Sequence, residues 1–90
     1  MTPAMNIEAR TPPLIYWSAP VNVRVGNGFS EAIFGPETAL DYLEHRWPTR
    51  SGPHYFNALR ICRAAVDRRE PPDFARDAFI AAGIEAGMLA

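Results

Sequence analysis

Val21-Asn22-Val23-Arg24-Val25-Gly26-Asn27-Gly28-Phe29-Ser30-Glu31-Ala32-Ile33-Phe34 carries the pattern of a β-hairpin. Residues 21–25 alternate strictly between apolar and polar positions and are rich in β-branched side chains, which suits a half-buried strand. Asn27-Gly28 is a strong short hairpin signal, because a type I′ turn needs positive φ at both central positions. The run from Phe29 to Phe34 is then the returning strand. Centring the turn on Asn27-Gly28 predicts that Val25 faces Ser30, Val23 faces Ala32 and Val21 faces Phe34 on one side. Arg24 faces Glu31 on the other, an opposite-charge pair.

Downstream the period changes from two to that of a helix. Gly35-Pro36-Glu37 opens the first helix: Pro is tolerated at the first helical position, and Glu suits the positive end of the helix dipole. Ala39, Leu40, Leu43 and Trp47 make its apolar stripe, and Pro48 stops it. A second helix runs from about Pro53 to Arg68, with Tyr55, Ala58, Leu59, Cys62, Ala65 and Val66 on one face. Glu70-Pro71-Pro72 breaks the chain. A third helix runs from about Pro72 or Asp73 to Gly87. Its face of Ala75, Ala78, Phe79, Ala82 and Ala86 stands almost opposite a second apolar face of Ile80, Ile84 and Met88. Both faces cannot pack on one neighbour, so either Leu14–Trp17 or a second copy covers the outer one.

Upstream, Leu14-Ile15-Tyr16-Trp17 reads as a strand or as an anchoring segment; four residues do not decide between them. Residues 1–13 read as a flexible, polar, Pro-containing segment. The predicted architecture is α+β, a β-hairpin followed by three α-helices, forming a small single domain over residues 14–90.

Ninety residues, 48% hydrophobic and 21% charged, describe a globular domain. A domain this small buries only about 60% of its unfolded surface, so it gains from pairing or a staple. One cysteine, Cys62, excludes an intramolecular disulfide, and one cysteine with two histidines does not close a four-ligand zinc site. The net charge of −1 provides no whole-molecule attraction to nucleic acid or an acidic membrane. No run approaches the ~20 apolar residues of a spanning helix, and the N-terminus lacks the apolar core of a signal peptide. The expected location is therefore the cytoplasm, without membrane contact.

From Trp47 onward the chain resembles the family catalogued as domain of unknown function 982, known from small proteins of rhizobia and their relatives. Trp47-Pro48, Gly52-Pro53, Tyr55, Ala58 and Cys62 carry the likeness. So do Ala75-Arg76, Ala78-Phe79-Ile80, Ala82 and Glu85-Ala86-Gly87. Pro20-Val21, Gly35-Pro36, Ala39 and Leu43 extend it to roughly residues 17–87. The family has no established activity, so the resemblance implies an architecture and no mechanism.

Candidate sites are few. Trp47-Pro48 with Gly52-Pro53-x-Tyr55 either lines a small-molecule cleft with Arg50 or pins a helix-to-helix corner with buried aromatics. Arg60 and Arg63, with Arg68, Arg69, Arg46 and Arg50 near in sequence and Phe56 on the same side, either form an anion-binding patch or a solvated, salt-bridged face. Cys62 is mid-helix on the apolar face and reads as a buried small hydrophobe rather than a thiolate. His45, His54 and Glu44 lack metal-ligand spacing, and Asp73 and Asp77 are ordinary first-turn acids. No nucleophile–base pair is found. The expectation is a non-enzymatic interaction protein, without metal or cofactor, that self-associates as a homodimer through Ile80, Ile84 and Met88. The alternative is a binding module for a small anion or nucleic acid, using Arg60, Arg63 and the corner residues Trp47, Arg50 and Tyr55.

Overall fold

The computed structural model describes residues 14–24 and 26–90. The expected flexible segment 1–13 and the facing of Val25 lie outside the described residues. The order is β1 (Val21–Val23), β2 (Glu31–Ile33), α1 (Pro36–His45), α2 (Pro53–Val66) and α3 (Pro72–Ala86), the hairpin and three helices read from the sequence. Every helix begins with Pro in its first turn, where the missing N–H would have no intrahelical partner. α2 lies between the other two, packed along α3 on one side and against α1 on the other. Contacts of Cys62 with Ala75 and of His54 with Glu85 make α2 and α3 antiparallel.

The hairpin forms, but one step away from the expected register. Val21 pairs with Ile33, Asn22 with Ala32 and Val23 with Glu31. Gly26 has φ of 60°, while Asn27 and Gly28 do not take positive φ, so the type I′ turn does not form. A one-residue slip exchanges the faces of a strand. Ile33 is 1% exposed and Phe34 is 49% exposed, the reverse of the expected arrangement. The slip also turns Glu31 away from Arg24 and towards α1, where Arg46 donates to both its carboxylate oxygens, at 2.9 and 3.3 Å. Glu31 thus joins β2 to α1 at the rim of the buried face.

Leu14–Trp17 is an anchoring segment and not a strand. The Trp17 amide donates to the Phe34 carbonyl at 2.6 Å, and its indole Nε1 donates to the Pro72 carbonyl at 2.8 Å. Gly35 permits the crossing: a Cβ there would sit 2.1 Å from the Ile15 carbonyl oxygen. Trp17 then packs against Phe79 (6.0 Å between ring centres), which also meets Trp47 at 5.5 Å. Phe79 is fully buried at the middle of this aromatic group.

The end of α3 departs from the expected outer stripe. Gly87 takes φ of 69°, the Met88 amide donates to the Gly83 carbonyl at 2.8 Å, and the Gly87 amide donates to Ile84 at 3.1 Å. This is a Schellman cap, which reverses the chain after the helix. Met88 is thereby folded into the core at 2% exposure and does not continue the face of Ile80 and Ile84. Residues 88–90 run back beside β1: Arg24 donates to Met88 at 2.7 Å and Ala90 donates to Asn22 at 3.0 Å. β1 is therefore flanked by β2 on one side and by the C-terminal residues on the other.

Candidate functional site

The five expected binding residues are not brought together. Trp47 and Tyr55 belong to the core, 6.5 Å apart between ring centres, and the Tyr55 hydroxyl donates to the Leu43 carbonyl at 2.9 Å. They pin the α1–α2 corner, as the structural alternative expected. Arg50 folds back and donates to the Glu44 carbonyl. Trp47 does edge a surface cleft of about 470 Å³ with Ser51, Pro53 and Glu85. Glu85 is already engaged there: its Oε1 accepts the His54 amide at 2.9 Å. The first turn of α2 has no acidic residue, so the end of α3 supplies the carboxylate that its positive dipole favours.

Arg60 and Arg63 meet elsewhere. With Arg69, Phe56 and Leu59 they line a groove of about 380 Å³ along the solvent side of α2. Arg63 is held by Glu44 of α1, Arg69 by Asp67 at 3.2 Å, and Arg60 by the Asn57 side-chain oxygen at 2.6 Å. All three side chains are exposed, and exposed pairs of this kind contribute about 0–1 kcal/mol each.

A third surface lies on the far side of α2, in the angle it makes with α3. Ile61, Phe74, Ala78 and Ala81 line a shallow apolar groove of about 360 Å³, edged by His54, Asn57 and Asp77. Phe74, Asp77, Ala81 and Ile84 follow helical spacing and share one outward face of α3. Ile84 is 65% exposed and Phe74 56%, whereas Ile80 is half-buried against the core. Phe74 was not legible as a surface residue, because it precedes the apolar repeat by one position; its spacing to Asp77, Ala81 and Ile84 is the signal that places it.

The titratable groups are arranged for structure. Burial pushes the Cys62 thiol up to about 12, so it stays protonated; its Sγ lies 4.0 Å from the Ala75 carbonyl. Burial, then the hydrogen bond to Glu31, raises Tyr42 to about 12, while the bond from Arg46, then that from Tyr42, holds Glu31 below the ordinary carboxylate range. The Arg46 guanidinium lies 4.2 Å from the Tyr42 ring centre. No member of this triad exchanges a proton near neutral pH, so it fastens the sheet to α1. Among the described residues no group of three His, Cys, Asp or Glu side chains is placed to hold a metal, and no buried side-chain nitrogen or oxygen lacks a partner. No described helix is long and apolar enough to cross a membrane.

A two-stranded antiparallel hairpin, an anchored entry segment and three mutually packed helices, the last of them against β1, define a small α+β domain. Within that class the chain belongs to the family described as protein of unknown function (DUF982), which matches residues 19–90. It is also similar to the NMR structure of the Agrobacterium tumefaciens protein Atu1219. The two are 36% identical over 84% of this chain and 76% of that one, with a TM-score of 0.71. No curated protein matches the chain.

Proposed function

We propose that the protein acts by binding, without catalysis, and that it self-associates through the outward face of α3. The observation that carries this reading is the exposure of Phe74 and Ile84, at 56% and 65%, on a face continuous with the apolar Ile61 groove. Seven alanines sit among the described buried residues, so the domain's own core is short of large side chains. Additional apolar burial between copies compensates for this shortage. In a two-fold dimer the same patch meets itself, so apolar groups face apolar groups without a dedicated partner. Fully burying one Phe or Ile stabilises by about 1.5–3 kcal/mol, and half of that remains available from each of these two side chains.

With Met88 in the core, Ile84 is the exposed member of the expected stripe, and Phe74 and Ile61 take the place of Met88 beside it. Sedimentation of wild type and Ile84→Glu tests the reading. Wild type should sediment as a concentration-dependent dimer, and the variant as a monomer with unchanged helical circular dichroism. Identical sedimentation of the two proteins would remove α3 from the interface.

A further inference from the structure

We infer that the groove of Arg60, Arg63, Arg69 and Phe56 is a binding site for a small phosphate monoester carrying an aromatic body. The groove lies on the side of α2 away from Ile61, so this site stands independently of the self-association surface.

Three arginines line one groove, while two carboxylates, Glu44 and Asp67, are paired with two of them. Three positive charges against two negative ones leave an excess of one. Arg60 has an amide oxygen as its partner and not a carboxylate. A phosphate dianion matches the planar forks of arginine better than a single carboxylate does, because it presents three acceptor oxygens to several donors at once. The existing pairs are exposed, so exchanging them for a ligand phosphate costs little. They also hold the arginines along the groove before a ligand arrives.

The other half of the groove is apolar. Phe56 is 57% exposed, and its ring stands edge-on to buried Tyr55 with centres 5.2 Å apart, which fixes it from below. Half-buried Leu59 lies next to it along the groove. An aromatic ring of the ligand stacks on Phe56 while its phosphate reaches the arginines one and two turns further along α2. The volume of about 380 Å³ is near the lower end for small-molecule pockets, which suits one mononucleotide-sized molecule. A long polyanion is disfavoured by the net charge of −1.

Two-dimensional ¹H–¹⁵N NMR titration of the full chain tests the site with adenosine 5′-monophosphate, phenyl phosphate, inorganic phosphate and adenosine as separate probes. The expected result is saturable shifts centred on residues 56–69 with both aromatic phosphates, and binding at least about tenfold weaker for inorganic phosphate and for adenosine. Arg63→Gln should weaken the aromatic phosphates about tenfold, while Arg24→Gln, an equal charge change on the exposed side of the hairpin, should leave them unaltered. The same spectra report that each variant is folded. Equal affinity for inorganic phosphate, non-saturating shifts, shifts centred elsewhere, or equal losses from the two arginine variants would overturn the assignment.

Discussion

Replacing Ile33 and, separately, Phe34 with alanine distinguishes two registers of the same hairpin. In the observed pairing Ile33 is 1% exposed and Phe34 is 49% exposed. Truncating a fully buried Ile to Ala removes its transfer free energy and leaves a cavity, a cost of about 2–5 kcal/mol. Phe34 keeps only half its surface from water, so its truncation costs about 1 kcal/mol. A domain of this length has a total stability of roughly 5–13 kcal/mol, so Ile33→Ala takes away a large share of it. With a urea slope of about 1 kcal/mol/M for so small a domain, the midpoint should fall by roughly 2 M or more for Ile33→Ala and by about 1 M for Phe34→Ala. Ile33→Val, at about 1 kcal/mol, keeps the comparison measurable if the alanine variant is unfolded in water. A larger loss from Phe34→Ala than from Ile33→Ala would mean that Phe34 points inward, and would refute the pairing of Val21 with Ile33.

Cys62 should react slowly with a thiol reagent such as DTNB in the native protein and rapidly in denaturant, since it is fully buried. Its folded pKa of about 12 lies above the unfolded value near 9, so its contribution to stability is intact below pH 9 and is lost as pH rises towards 12, readable as a falling unfolding midpoint. Gly87→Ala should lower stability by about 1–2 kcal/mol in urea unfolding, because φ of 69° is left-handed and no neighbouring atom lies near the added methyl to obscure the backbone effect. Glu85→Ala should cost about 1 kcal/mol by the same assay, and Glu85→Gln less, because the amide oxygen still accepts the His54 N–H.

Much of the fold was legible in the sequence, because its signals were local. Pro36, Pro53 and Pro72 marked three helix starts that the structure places at those residues. Tyr55, Ala58, Cys62 and Ala65 showed the inward face of α2 by spacing alone. The hairpin was placed correctly while its register was not, since Asn27-Gly28 competes with Gly26 for the left-handed position. The winner is decided by tertiary partners that no local pattern contains: Arg46 for Glu31, and Trp17 for the Phe34 carbonyl. Tyr42, buried at α1 and bonded to Glu31, follows Ala39 by three residues and was recoverable from that spacing. Met88 was misplaced for a different reason. A periodic stripe was continued past Gly87, although a glycine after the last helical turn is itself a stop signal. The candidate sites were legible as residue types but not as groups. Arg60 and Arg63 do share a groove with Phe56, whereas Trp47 and Tyr55 serve the core and Arg50 turns to a backbone carbonyl.

Light scattering of the wild-type chain over a concentration series into the high micromolar range tests the proposal that the outward face of α3 joins two copies. The weight-average mass should rise towards twice that of one chain as concentration increases. A mass that stays at one chain throughout would contradict it, leaving Phe74 and Ile84 exposed in the free protein.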